Sequence, residues 1–170
     1  MKQIAKVCLV CLCCAVLLCG CQLFSGQPED ESVAVDYSQM ITDAVDIAIE
    51  DCITDQQIST VVGMPMTLLG VYEEGTQAVF MSEDATCQVN INLMNQPRSV
   101  FDSTVGGAEN AVLQEGLGEA GYWFEETGEL VVYAGGYSLG VAVVTVDPTN
   151  RITYAQQITT TILQKLQPAQ

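Results

Sequence analysis

The chain has 170 residues, and its 21 acidic and 5 basic residues give a formal net charge of −16 at pH 7. Binding to nucleic acid requires a basic surface, so this charge excludes DNA and RNA as partners. The sequence contains no histidine, which excludes Ser-His-Asp and Cys-His catalytic groups and HExxH zinc sites.

The amino-terminal segment has the composition of an export signal. Lys2 and Lys6 make its start positive, and residues 7–21 carry no charge. A membrane-spanning helix needs roughly 20 apolar residues, whereas this run is shorter and a polar stretch follows it. We therefore predict that residues 1–20 are a cleaved signal peptide.

The end of this signal carries a more specific motif. Leu18-Cys19-Gly20-Cys21 resembles the bacterial lipobox, although Cys19 stands where Ala or Ser is commoner. The resemblance implies that Cys21 is lipidated, with palmitate among its acyl chains, and becomes the first residue of the mature protein. Two or three acyl chains give stable anchoring, whereas one gives marginal binding. An ordinary secretory signal rich in cysteine is the alternative.

The rest of the chain divides into a tether and a domain. Residues 21–35 contain Gly, Pro, Ser and acidic residues without an apolar face, which predicts a flexible tether. Residues 36–170 have the length of a single domain. Only two of the eight cysteines, Cys52 and Cys87, fall in this part. Two thiols in an exported domain favour one disulfide bond, and a pair of buried free thiols is the alternative.

The domain begins with helical signals. Residues 37–52 fit both a strand and a helical face, so their structure stays open. Thr54 is a good helix N-cap, and Gln57 follows at the capping-box spacing. Gly63 and Pro65 end the helix that this pattern predicts.

Three β-rich segments follow within residues 67–95, separated by turns at Glu74-Gly75 and Glu83-Asp84. In the third segment, strict alternation places Cys87 on the buried face. The connection at 96–116 is predicted to hold a helical turn or two near its start and a second short helical piece after its paired glycines.

Three further strands are predicted within residues 120–126, 129–135 and 137–146, and Asp147 starts an amphipathic helix that runs to the carboxyl terminus. This order of elements predicts an α+β fold. Its antiparallel sheet has about six strands, and the helices pack on one face.

Two segments, "DCITDQQISTVVGMPM" at 51–66 and "GLGEAGYWFEETGELVVYAGGYSLGVAV" at 116–143, resemble a group of small bacterial lipoproteins of unknown function, best known from actinobacteria. The resemblance implies an α/β sandwich similar to the PsbP-like fold and a disulfide between Cys52 and Cys87. It brings no catalytic residues with it. The chain departs from the group where Gln88-Val89 replaces the aromatic residue common after the second cysteine.

Carboxylates are the plentiful reactive groups, and they are predicted to fall at hairpin turns. They are Glu73, Glu74, Glu83, Asp84, Glu125, Glu126 and Glu129. A pair of carboxylates can hydrolyse glycosides, and several can bind Ca²⁺, but no segment has EF-hand spacing. Solvated charge is the simpler interpretation, so we predict no catalytic residue, no metal and no cofactor.

The adjacent aromatic residues Tyr122, Trp123 and Phe124 are the remaining candidates for a partner contact. Alternation along a strand places Trp123 on the face opposite its two neighbours. Exposure near a glycine-rich turn would suit a partner surface, and burial under the helices is the alternative.

These features predict a lipoprotein anchored to the extracytoplasmic face of the cell membrane. Its non-catalytic domain would bind a protein or another envelope component, with the turn "GLGEAGYW" at 116–123 and the sheet face as the contact surface. A lipoprotein that binds a small ligand or a divalent cation is the second hypothesis. A hydrolase that uses a pair of carboxylates is the third.

Overall fold

The computed structural model describes residues 47–166. The predicted signal peptide at 1–20, Cys21 and the predicted tether at 21–35 lie outside the described residues. In the described part, four α-helices and seven strands follow one another as α1 (Ile49–Cys52), α2 (Asp55–Val62), β1 (Met66–Tyr72), β2 (Gln77–Ser82), β3 (Cys87–Asn95), α3 (Arg98–Gly106), β4 (Ala111–Leu113), β5 (Ala120–Phe124), β6 (Glu129–Ala134), β7 (Tyr137–Thr145) and α4 (Arg151–Leu166). Short 3₁₀ turns at Glu73–Gly75 and Pro148–Asn150 complete the series.

The strands form one antiparallel sheet in the order β1-β2-β3-β7-β6-β5-β4. The predicted α+β class is confirmed. The sheet has seven strands rather than about six, because Ala111–Leu113 forms β4 where the sequence predicted a second short helical piece. Val112 pairs with Trp123 across the β4/β5 ladder, so pairing with a neighbouring strand decides the structure of this short segment.

Local sequence signals account for the ends of α2. The Thr54 hydroxyl accepts a hydrogen bond from the Gln57 backbone N–H at 3.3 Å, and the Gln57 side chain accepts one from the Thr54 backbone N–H at 3.0 Å. This is the predicted capping box, in which two otherwise unpaired backbone donors are satisfied. Gly63 ends the helix in the left-handed region at φ 79°.

One face of the sheet, which we call the inner face, holds the main hydrophobic core under α1, α2 and α4. Leu139, Val141 and Val143 alternate along β7 and are fully buried there. Ile158 and Ile162 of α4 pack into the same cluster. The predicted carboxyl-terminal amphipathic helix is confirmed, and its apolar stripe covers the inner face.

The opposite face, which we call the outer face, carries α3. Phe101 of this helix lies with its ring centroid 5.3 Å from that of Tyr133 and 6.2 Å from that of Tyr122. Phe101, Val105 and Tyr133 form a second, smaller cluster separate from the main core. The sequence predicted that all helices pack on one face of the sheet, and this is wrong for α3. Its two buried side chains, Phe101 and Val105, pack against aromatic side chains that point to the outer face, so α3 lies on the face opposite the other three helices.

Candidate functional site

The two cysteines of the domain are free and buried in this structure, so the predicted disulfide between Cys52 and Cys87 is not formed. The Cys52 thiol instead points to the carbonyl of Ala48 in its own helical turn, at 3.7 Å. Burial, reinforced by the negative charge of Asp51, raises the pKa of Cys52 to about 11. Burial also raises the pKa of Cys87. Both thiols therefore stay protonated at neutral pH and lack the thiolate that a nucleophile needs.

The three predicted contact aromatics are divided between the faces, as alternation requires. Trp123 is 3% exposed and belongs to the inner core, and its indole N–H donates to Glu125 Oε2 at 2.6 Å. Tyr122 and Phe124 are half-buried on the outer face, where they pack against the α3 cluster. The three residues therefore do not form one exposed patch.

The turn at 116–123 is packed closely against the sheet. A Cβ at Gly118, where φ is +64°, would lie 2.5 Å from the carbonyl oxygen of Tyr133. The Glu119 backbone N–H also donates to that oxygen at 2.8 Å. Because Gly118 has no Cβ, the turn can approach β6 closely at this position.

The carboxylates at the turns have structural partners where the turns are tight. Asp84 Oδ1 accepts hydrogen bonds from the Ser82 and Thr86 hydroxyls, each at 2.8 Å, and from the Thr86 backbone N–H at 3.1 Å. These bonds hold the pKa of Asp84 below its usual value. Arg151 donates to the backbone carbonyl of Glu125 at 3.1 Å and pairs with its carboxylate at 3.4 Å. Within residues 47–166, no group of three or more His, Cys, Asp or Glu side chains is arranged to hold a metal ion.

A cavity of about 280 Å³ lies on the outer face beneath α3, and we call it the α3 pocket. Its walls come from α3, four strands and the adjoining loops. They are Asn92, Met94, Gln96, Phe101, Thr104, Val105, Phe124, Thr127, Glu129, Val131, Ser138 and Gly140. The volume is close to the lower end of the range for sites that bind small molecules. A larger depression of about 480 Å³ lies beside Met64, Pro65 and the turn at 82–84, but its Asp84 carboxylate is already held by the turn.

Small residues on β7 explain why the α3 pocket exists. Ser138 and Gly140 face outward between the large inward-facing side chains of the same strand. Gly140 lies directly across from Asn92 of β3. A Cβ at Gly140 would come within 3.0 Å of Glu129 Oε1, so glycine leaves the space that the Glu129 carboxyl group occupies.

Glu129 is the carboxyl group of this pocket. It is half-buried, and among the described residues it has neither a hydrogen-bond donor nor an ion-pair partner. Removal from water raises its pKa. Asn92 lines the same pocket, and its buried Oδ1 accepts no hydrogen bond from the described residues. The Glu129 carboxyl group and the buried Asn92 oxygen thus lie beside the cavity without partners among the described residues. A buried acceptor left unpaired, as the Asn92 oxygen is, costs stability.

This pocket could not be predicted from the sequence. Glu129 was predicted both among the turn carboxylates and at the start of a strand at 129–135, and it is the first residue of β6, with its side chain on the outer face beside Val131. A signal was present in the run Tyr137–Thr145, where small residues alternate with large aliphatic ones. Alternation predicted which residues share a face, but the position of α3 above them depends on contacts distant in sequence.

No family model matches the chain, and the searches found no curated protein and no solved structure similar to it. The resemblance to small bacterial lipoproteins therefore stays a prediction. None of the helices described between residues 47 and 166 has the length and apolar character needed to span a membrane.

Proposed function

We propose that this protein is a lipoprotein of the extracytoplasmic membrane face whose domain binds a small ligand, without catalysis, in the α3 pocket. The observation that carries the proposal is the Glu129 carboxyl group, without a partner among the described residues, in a cavity whose walls combine aromatic and aliphatic side chains with hydroxyl and amide groups. Carboxyl groups whose pKa is shifted by burial occur frequently at functional sites, and sites for small ligands combine apolar walls with a few polar groups.

The anchor in this proposal rests on the sequence. A positively charged start, an uncharged run and the lipobox-like Leu18-Cys19-Gly20-Cys21 occur in the order that lipidation requires. The acidic character of the domain would repel anionic lipid headgroups and polymers, which favours a domain held away from the membrane surface.

Binding without catalysis is supported by the chemistry of the available groups. The chain has no histidine, and both thiols of the domain are buried with raised pKa values. Among the residues that line the α3 pocket, Glu129 is the one carboxyl group, whereas glycoside hydrolysis by carboxylates uses two.

The anchor is tested by labelling living bacteria that express the full chain with an alkyne analogue of palmitate. We expect label on the wild-type protein and on Cys19→Ala, because Cys19 leaves with the signal peptide. Cys21→Ala should carry none. Label that persists on Cys21→Ala would contradict the proposed anchor.

The pocket is tested with a fragment library that contains neutral, cationic and anionic members, screened by ligand-observed NMR on the full chain in phosphatidylcholine nanodiscs. Gly140→Val adds a side chain at the pocket floor and should abolish the hits. Gly106→Val is the matched control, because a Cβ there meets nothing within 4 Å. Absence of hits that depend on Gly140 would refute the proposed pocket.

A second candidate function is contact with an envelope protein along β4. This strand lies at the end of the sheet and pairs with β5 alone. Val112 and Leu113 are 54% and 56% exposed. Unpaired edges of this kind accept an added strand from a partner.

This candidate is tested by photo-crosslinking in living cells from a benzophenone side chain placed at Val112. Leu69 on β1, at the opposite edge, is 54% exposed and serves as the control position. Crosslinks to one protein from Val112 but not from Leu69 are expected. Equal products from both positions would contradict a specific contact at β4.

A further inference from the structure

We infer that the ligand of the α3 pocket is a small organic cation, a protonated amine with a short apolar body. This inference rests on the proposed function and adds the chemical class of the ligand. It follows from the placement of charge, of aromatic rings and of hydrogen-bond acceptors around the cavity.

The charge of the pocket has one sign. Glu129 is its one ionisable lining residue, and no Lys or Arg lines it. None of the three basic residues of the described part is among the residues that line it. Arg98 pairs with Asp102 at 2.7 Å and with Glu119 at 3.7 Å, and Arg151 pairs with Glu125. Lys165 is exposed on α4, which covers the inner face.

An anionic ligand would therefore place a second negative charge beside Glu129 in a cavity partly removed from water, where repulsion between like charges is strong. A protonated amine would instead neutralise the carboxylate. Its N–H groups would also supply the donors that the Glu129 oxygens and, after rotation of the side-chain amide, the Asn92 oxygen lack.

The aromatic residues of the pocket favour the same class of ligand. Phe101 and Phe124 both line the cavity, and the face of an aromatic ring attracts a cation. The fold already contains this interaction, because the Arg98 guanidinium carbon lies 5.7 Å from the centroid of the Phe101 ring and 5.2 Å from that of Tyr133. The aliphatic side chains of Val105 and Val131 provide an apolar wall for the body of the ligand.

The volume of about 280 Å³ limits the ligand to a small molecule. A peptide or a folded partner would not fit inside it. Among small molecules, those with one amine and a short apolar chain match both the size and the single carboxylate.

The inference is tested with three probes of the same length, n-butylamine, n-butanol and butyrate. They are titrated calorimetrically into the full chain in phosphatidylcholine nanodiscs, with empty nanodiscs as the blank. We expect butylamine to bind at least tenfold more tightly than butanol, and butyrate not to bind. In Glu129→Gln, butylamine should lose at least tenfold in affinity and become equal to butanol.

Glu115→Gln is the matched control, because Glu115 is exposed and lies outside the pocket. It removes the same charge and should leave butylamine affinity unchanged, which separates a contact with Glu129 from a general effect of the acidic domain. Circular dichroism and thermal unfolding of each variant establish that it is folded.

Equal or tighter binding of butanol or butyrate, or unchanged butylamine affinity in Glu129→Gln, would overturn the inference. If none of the three probes binds while neutral or anionic library fragments still bind in a manner that depends on Gly140, the cation class is wrong and the proposed pocket stands. If no compound binds in either experiment, both are wrong.

Discussion

The two faces of β7 differ in the size of their side chains although they belong to one strand. Leu139, Val141 and Val143 on the inner face are fully buried, and each buried aliphatic side chain of this size contributes roughly 1.5–3 kcal/mol. Ser138 and Gly140 on the outer face are also buried, but Ser138 has a small side chain and Gly140 has none, and both line a cavity. The outer face of this central strand therefore carries open space, with the buried unpaired Asn92 oxygen and the Glu129 carboxyl group beside it, which is the arrangement that the proposed ligand site uses.

The largest expected difference between the faces is at adjacent positions of β5. Trp123→Ala removes a 3% exposed inner side chain and its bond to Glu125, so we expect a loss of about 3–5 kcal/mol in the free energy of unfolding. Tyr122→Ala, on the outer face, should cost about 1–2 kcal/mol. Urea denaturation measures both values. A larger loss for Tyr122→Ala would reverse the assignment of the faces.

A second matched pair lies on β7. Val141→Ala, at a fully buried inner position, should lower the free energy of unfolding by about 2 kcal/mol, since it removes buried methyl groups and leaves a cavity. Val144→Ala makes the same change at a position that is 54% exposed and should cost less than about 0.5 kcal/mol. Equal losses in thermal or urea unfolding would show that the outer face is packed as tightly as the inner face.

A smaller change in the free energy of unfolding, of opposite sign, is expected for Glu129→Gln. Its pKa is raised by removal from water, so the folded protein holds this proton more tightly than the unfolded chain. Stability from this group is present at low pH and is lost as pH rises from the ordinary pKa through the raised value. Glu129→Gln should therefore be more stable than wild type at pH 7, by less than Val141→Ala destabilises.

The measurement is urea unfolding of both proteins between pH 4 and pH 8, with Glu115→Gln as the control for general charge repulsion. The advantage of Glu129→Gln should grow with pH beyond that of the control. A variant that is less stable than wild type at pH 7 would show that the carboxylate has a stabilising partner.

The smallest expected signal is the extent to which an alkylating reagent modifies the two buried thiols, Cys52 and Cys87, in the native protein. Because the pKa of Cys52 is raised to about 11 and both thiols are buried, native protein at pH 8 should show almost no modification of either residue by iodoacetamide. Both should react fully in urea without a reducing agent. Mass spectrometry of the peptides measures this, and a disulfide-linked peptide in the unreduced sample would contradict the free thiols.

Signals that act over a few residues were sufficient for several elements. The capping box at Thr54 and Gln57, the end of α2 at Gly63 and the amphipathic pattern of α4 need only neighbouring residues, and the structure confirms each. Alternation along the strands correctly divided Trp123 from Tyr122 and Phe124. It could not predict which side of the sheet α3 would cover, or that residues 111–113 would join the sheet as a seventh strand, because both depend on partners distant in the chain.

The sequence by itself determined the α+β class and the alternation of the strands, since short-range periodicity fixes these properties, and the lack of histidine in the chain leaves no imidazole for catalysis. Tertiary structure alone decided that Cys52 and Cys87 remain free and that Glu129 meets Asn92, Phe101 and Gly140 in one cavity. These residues come from separate strands and a helix, and only the order of the strands and the docking of α3 bring them to the walls of one cavity.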